Sequence, residues 1–361
     1  MNWFKATENK MMARVPGLSW SVIISGIAFG ALGVMLVVWG NPTNTGVCVS
    51  CFMEGIAGAI GLHQNIRMMY IRPEILGFIL GAFAMAMAGG DFKPTGGSSP
   101  VIRFILGFFT IVGSAMFIGC PIKMLYRFSA GDLTAIAAIV GMFAGIWFGV
   151  KFMRKGFFLG DETPVSKING WIVPLLALLF LSFLYYTPSF VTLSDKGPSA
   201  MHAPILVSLG VALVIGALTQ RSRFCVVGAV RNFMLAGDMS LLIGLGLMLA
   251  AAVVANVITG QFHLGMVDQP GSHLEHIWSF LGMFLTGLAS VQLGGCPYRQ
   301  LILAGEGNAD SGVATLGMLV GAGLVHAWDL ASSTAGVTFN GQIAVLVGIG
   351  FCLVLGLVNR E

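Results

Sequence analysis

Charge is what this sequence has least of. Asp, Glu, Lys and Arg together make up 9% of 361 residues, against roughly 25% in soluble domains. Apolar residues make up 56%, and mean hydropathy is +0.88. Such a chain does not dissolve as a globular domain, and its apolar content excludes disorder. Basic residues are few and scattered, with a net charge of +4, which excludes a nucleic-acid-binding face. Six cysteines in this length form no disulfide framework. There is no second C-x-x-C, and no His lies close in sequence to Cys48 and Cys51 except His63, which stands alone, so a structural zinc site is unsupported. No cofactor motif is present, and no cofactor is expected. Despite 50 glycines there is no G-x-y period, which excludes collagen.

What the chain does have is apolar runs: 18–40, 73–90, 101–119, 132–153, 169–188, 203–218, 239–259, 274–292, 311–330 and 341–358. Each approaches the ~20 residues that a membrane-crossing helix needs. The first run follows Lys5, Lys10 and Arg14 but is too long for a signal peptide, and no A-x-A site follows it, so it reads as a retained span. With the N-terminus inside, ten Lys/Arg fall on inner segments, among them Lys93, Arg103 and Arg154. Only Arg67, Arg72 and Lys196 fall outside. This bias predicts an all-α polytopic membrane protein of about ten spans, N-in and C-in. Gly77/Gly81, Gly141/Gly145/Gly149 and Gly317/Gly321 are small-residue stripes for close helix packing.

The remaining basic residues sit with the cysteines. Gly119-Cys120-Pro121-Ile122-Lys123 and Gly295-Cys296-Pro297-Tyr298-Arg299 share the form G-C-P-x-(K/R), 176 residues apart. Cys48 and Cys51 precede the first by 72 and 69 residues, and Cys225 precedes the second by 71. Two halves of like layout follow, 18–168 and 203–340. A linker (169–202) joins them, with segments 1–17 (cytoplasmic) and 341–361 at the ends. The halves start five spans apart, so the second is inverted, as in transporters whose site lies at the repeat interface. The segments Cys120–Gly131 and Cys296–Gly305 are too short to cross and read as re-entrant half-helices, tolerated at membrane depth only inside protein or a wet cavity.

Pro suits the first helical position, which makes Cys120 and Cys296 N-caps. Helix starts attract anions, and Lys123 and Arg299, at the third position, add full charges. Arg223, in Arg223-Phe224-Cys225, adds another. Asp132, Asp238 and Glu306 end the segments and are available to pair with these cations, with Arg127, or with Arg221 and Arg231, which are open to structural or topogenic roles. A basic path lined with thiols fits a small, soft anion, whereas sulphate or phosphate would need no cysteine. Intramembrane acids are few, so proton coupling has no evident carrier. Cys352, among apolar neighbours, reads as core.

The two G-C-P-x-(K/R) motifs, Arg223-Phe224-Cys225, and Asn41-Pro42 through Cys51 together resemble the YeeE/YedE sulphur-transport family of bacterial inner membranes. The likeness covers about residues 20–358. It implies an hourglass of inverted halves in which cysteines pass a thiosulphate-like anion. By position these are Cys51 in preference to Cys48, then Cys120 and Cys296, with Cys225 as the symmetry mate of the first. The run Gly295 to Leu301, with Ala304-Gly305-Glu306-Gly307-Asn308 and the Cys48/Cys51 pair, resembles the YedE-type branch proposed to move selenium. The implied activity is non-enzymatic uptake of a selenium- or sulphur-containing anion, with a cytoplasmic sulphur- or selenium-carrier protein as a family-level partner besides membrane lipid. The alternatives are a thiosulphate importer, a membrane thiol oxidoreductase using Cys48 and Cys51, or a non-catalytic membrane subunit.

Overall fold

The computed structural model describes residues 18–360. The expected cytoplasmic segment 1–17, with Lys5, Lys10 and Arg14, lies outside the described residues. The first half runs α1 (Trp20–Val38), α2 (Val49–Ala59), α3 (Pro73–Gly89), α4 (Pro100–Phe117), α5 (Pro121–Ser129) and α6 (Ala135–Arg154). Then come α7 (Lys167–Tyr186) and a second series: α8 (Ile205–Ser222), α9 (Val226–Ala236), α10 (Ser240–Ile258), α11 (His276–Leu293), α12 (Pro297–Gly305) and α13 (Ala309–Ala327). The last helix is α14 (Phe339–Val358). The strands β1 (Thr95–Gly96) and β2 (Thr163–Pro164) form only a small antiparallel clip.

Each of the ten apolar runs is one long helix, with ends shifted by a few residues. Eight segments are long and apolar enough to cross a membrane. Of the other two long helices, α3 has 17 residues, and α13 carries Asp310 and His326 at its ends. The chain is an all-α, multi-pass membrane protein. The four remaining helices, α2, α5, α9 and α12, have 11, 9, 11 and 9 residues, too few to cross alone.

The repeat is visible in the packing. Across the two halves α1 packs on α10 and α3 on α8, while α6 packs on α11 and α4 on α13. Exchanging the halves leaves this set of pairs unchanged, and α4 against α11 maps onto itself. Glycine contacts give the register. A Cβ at Gly141 would overlap the Phe280 carbonyl oxygen, and one at Gly317 would overlap that of Phe104. These partners are related by the same 176 residues as Cys120 and Cys296. Backbone contact this close needs a residue without a side chain.

The connections fall into two sets. Asn44 donates to Gln269 Oε1 (3.2 Å) and Asp132 bridges Gly265 on one side. On the other, Thr95 bridges Asn308 and Phe157 bridges Arg360. The centre of the bundle is α4–α5 against α11–α12, 61% and 67% buried over their most apolar windows. By contrast α7 is 22% buried and exposes Leu175, Leu178 and Leu179, as a lipid-facing helix does.

Candidate functional site: cysteines at four half-helix starts

Every half-helix starts at a cysteine. Cys48, Cys120, Cys225 and Cys296 are the N-caps of α2, α5, α9 and α12. Pro121 and Pro297 occupy the first turns of the two G-C-P helices, where a missing N–H leaves nothing unsatisfied. Cys48 Sγ accepts from Cys51 N at 3.3 Å and Cys225 Sγ from Gly228 N at 3.2 Å, the same cap geometry in both halves. The structural counterpart of Cys225 is therefore Cys48. Cys51 lies one turn further on and is the only residue of α2 that is not buried.

The thiols gather into two stations. In the first, Val49 N donates to Cys120 Sγ (3.3 Å), and the sulphurs of Cys48 and Cys51 are 2.7 Å apart. In the second, Cys225 and Cys296 sulphurs are 3.6 Å apart, and Cys296 N donates to Cys225 Sγ at 3.5 Å. All six cysteines are free, and Cys352 is buried in α14 away from both stations. The stations flank one aromatic cluster built on Phe29. Its ring centroid is 5.1 Å from Tyr298, 6.0 Å from Phe224 and 6.5 Å from Tyr126. Tyr126 also donates to the Phe29 carbonyl at 2.5 Å.

The first station stores backbone strain. Ile118, two residues before Cys120, has φ +60°. A β-branched residue there is a steric outlier costing about 1–2 kcal/mol. The equivalent residue in the second half is Gly294, at φ +93° without that penalty. The Ile118 carbonyl lies 3.9 Å from Cys51 Sγ, so the strained turn faces the thiol.

The cations differ between the stations. Lys123 is 4% exposed, and among the described residues it joins no ion pair. Its Nζ lies 3.8 Å from Cys51 Sγ. Arg299, its counterpart, pairs with Glu306 Oε1 at 3.1 Å. Arg299, Leu303 and Glu306 form the less buried face of α12. Leu303 and Glu306 line a cavity of about 420 Å³ with Lys93, Asp91, Arg221 and Arg223. Arg221 faces Asp91 (3.7 Å), whereas Arg223 is exposed and joins no ion pair among the described residues. The matching position in the first half, beside Ala130, Asn44 and Gln261, holds only about 10 Å³.

The other expected pairings sort by geometry. Arg127 is buried with its Nε 2.7 Å from Asp132 Oδ2, and it donates to the Phe117 carbonyl (2.8 Å) and Thr134 Oγ1 (2.7 Å). This network ties α5 to its flanks. Asp238 accepts from Ser240 N (2.9 Å) instead of meeting an arginine. Arg231 donates to the Gly294 carbonyl at 3.1 Å.

Residues 221–358 match the sulphur transport family. The match spans Arg223, Cys225, Cys296 and Arg299, and the internal repeat relates these positions to Cys48, Cys120 and Lys123 in the first half. No curated protein matches the chain. The fold makes this a multi-pass membrane protein, and its second half is similar to a family of sulphur transporters. The match does not distinguish the selenium branch.

Proposed function

We propose that the protein imports a small sulphur- or selenium-containing anion across the bacterial inner membrane, N-in and C-in. The solute passes from the Cys48/Cys51/Cys120 station to the Cys225/Cys296 station. The observation that carries this reading is Lys123. An ammonium at membrane depth with no carboxylate is costly, and a visiting anion beside Cys51 supplies the missing charge. The four cysteines at helix starts add N–H groups and the positive ends of the helix dipoles. Thiol groups add weak S–H donors and polarisable acceptors suited to sulphur or selenium. On the other side the anion meets Arg299 and Arg223 and leaves through the wet cavity. There a soluble sulphur- or selenium-carrier would collect it. No bond to the anion needs to form or break, so the chain acts as a transporter and not as an enzyme.

The test is uptake by the purified protein in liposomes, with labelled thiosulphate, selenite and selenide competed against one another. Cys120→Ala and Cys296→Ala are each expected to abolish uptake while the protein remains folded in the membrane. Normal uptake in both variants would refute the relay. Substrate-dependent redox cycling of Cys48 and Cys51 would favour the thiol oxidoreductase instead.

A further inference from the structure

Glu54 is the one carboxylate on α2, three residues after Cys51 and so on the same side of the helix. It is 6% exposed. Its Oε2 accepts from His326 Nε2 at 3.0 Å, and His63 Nε2 donates to the Glu54 carbonyl at 2.9 Å. The two imidazole centroids are 4.6 Å apart.

The surrounding bonds fix the protons. Arg67 N donates to Asn65 Oδ1 at 3.1 Å, which turns the Asn65 amide NH2 toward His326 Nδ1 at 3.3 Å. That ring nitrogen is therefore an acceptor, and Nε2 carries the hydrogen. Asn65 N donates to His63 Nδ1 at 3.1 Å and fixes that ring likewise. The Glu54 carboxylate takes one hydrogen bond, from His326, and its Oε1 has no hydrogen-bond partner among the described residues.

Two cations reach α2: Lys123 Nζ lies 3.8 Å from Cys51 Sγ, and the Arg72 guanidinium lies 4.7 Å from the Phe52 ring centroid. In front of α3, Arg72 is held by the Pro198 and Met201 carbonyls (2.9 and 3.0 Å), and Glu74 by Asn41 (2.9 Å). The one charged residue of α4, Arg103, bonds Ser98, and Arg299 on α12 is paired with Glu306. Beyond α13 the next charge is the acid Asp329, and on α2 itself the other titratable side chain is Cys51. A buried carboxylate that shares a hydrogen bond with an imidazole, one turn from the Cys51 thiol, is a pair of groups that can hold and pass a proton.

An anion entering a negative interior moves against the membrane potential, and each proton carried along removes one charge of that opposition. We propose that Glu54, hydrogen-bonded to His326, carries a proton that travels with the anion, so that the protein is a proton–anion symporter. This deepens the transport reading above and rests on it.

The experiment uses the full chain in liposomes, with labelled thiosulphate and an imposed inward proton gradient. The wild type is expected to accumulate label above equilibrium. Glu54→Gln should lose that accumulation yet keep exchange of labelled for unlabelled thiosulphate, which shows it is folded and binding; Glu54→Asp should recover part of the gradient response. Accumulation by Glu54→Gln equal to the wild type would overturn the symport. A wild type with no exchange at all would count against thiosulphate transport rather than against the proton site. The site is then read from the carboxyl band in infrared difference spectra between acidic and neutral buffer. A band present in the wild type and missing from Glu54→Gln supports it, and identical spectra overturn it.

Discussion

Replacing Lys123 with Met should weaken transport and strengthen the fold. An anion at the Cys51 sulphur would sit near the 3.8 Å that separates that sulphur from Lys123 Nζ. Two unit charges at about 4 Å attract by about 4 kcal/mol at an effective dielectric of about 20. At 1.4 kcal/mol per decade, losing the ammonium should raise KM for the anion by roughly 10²–10³-fold. The same change removes a buried charge that joins no ion pair among the described residues. Insertion scales set such a charge at about 2.5–3.5 kcal/mol at mid-bilayer. Lys123→Met should therefore melt at a higher temperature than the wild type, and Lys123→Arg should keep most of the affinity. The assay is concentration-dependent uptake in liposomes paired with thermal unfolding in detergent. A KM within about threefold of wild type, equivalent to under ~1 kcal/mol, would refute the reasoning, as would a lower melting temperature accompanying lost transport.

Arg127→Met leaves Asp132 buried without its partner and should cost about 3–5 kcal/mol. The double variant with Asp132→Asn should be milder, and equal melting of the single and double variants would contradict a coupled pair. Gly141→Val and Gly317→Val should each destabilise by about 1–3 kcal/mol through overpacking, by similar amounts if the two interfaces are equivalent, as detergent melting will show. Burial pushes the His273 imidazole below its ordinary value, outweighing its bond to the Met116 carbonyl, and nearby Arg127 adds to the fall. The unfolded chain then takes up a proton that the folded chain refuses. Stability should be complete above about pH 6.5, fall as pH drops through that value, and level off at the lowered folded value. His273→Gln should flatten this dependence, which melting curves across pH would check.

Much of the architecture was legible because a bilayer imposes a length on each apolar run. The ten runs and the ten long helices correspond, and the Pro after Cys120 and Cys296 located two half-helix starts directly. The other two were harder to read, because Cys48 and Cys225 cap helices with no proline to mark them. The family resemblance favoured Cys51, where the cap geometry aligns Cys48 with Cys225. Glu54 was not legible as a site. Its partners come from 9 and 272 residues away, and a lone acid in a short polar stretch reads as loop. Phe29 was equally hidden, since within an apolar run nothing separates a residue at the bundle centre from one facing lipid. The cavity beside α12 draws its charges from three connections as well as helix ends, and only tertiary structure joins them.

Gene duplication supplied two grips of one design, and a single carboxylate has made them unlike. At Lys123 the positive charge is unspent, while at Arg299 it is already half claimed by Glu306. In the relay proposed above, an anion handed from the first station to the second would move from an uncontested cation to one that a carboxylate already holds. Such an asymmetry sets how long each station holds an anion, whereas the net direction of flux is left to the gradients across the membrane.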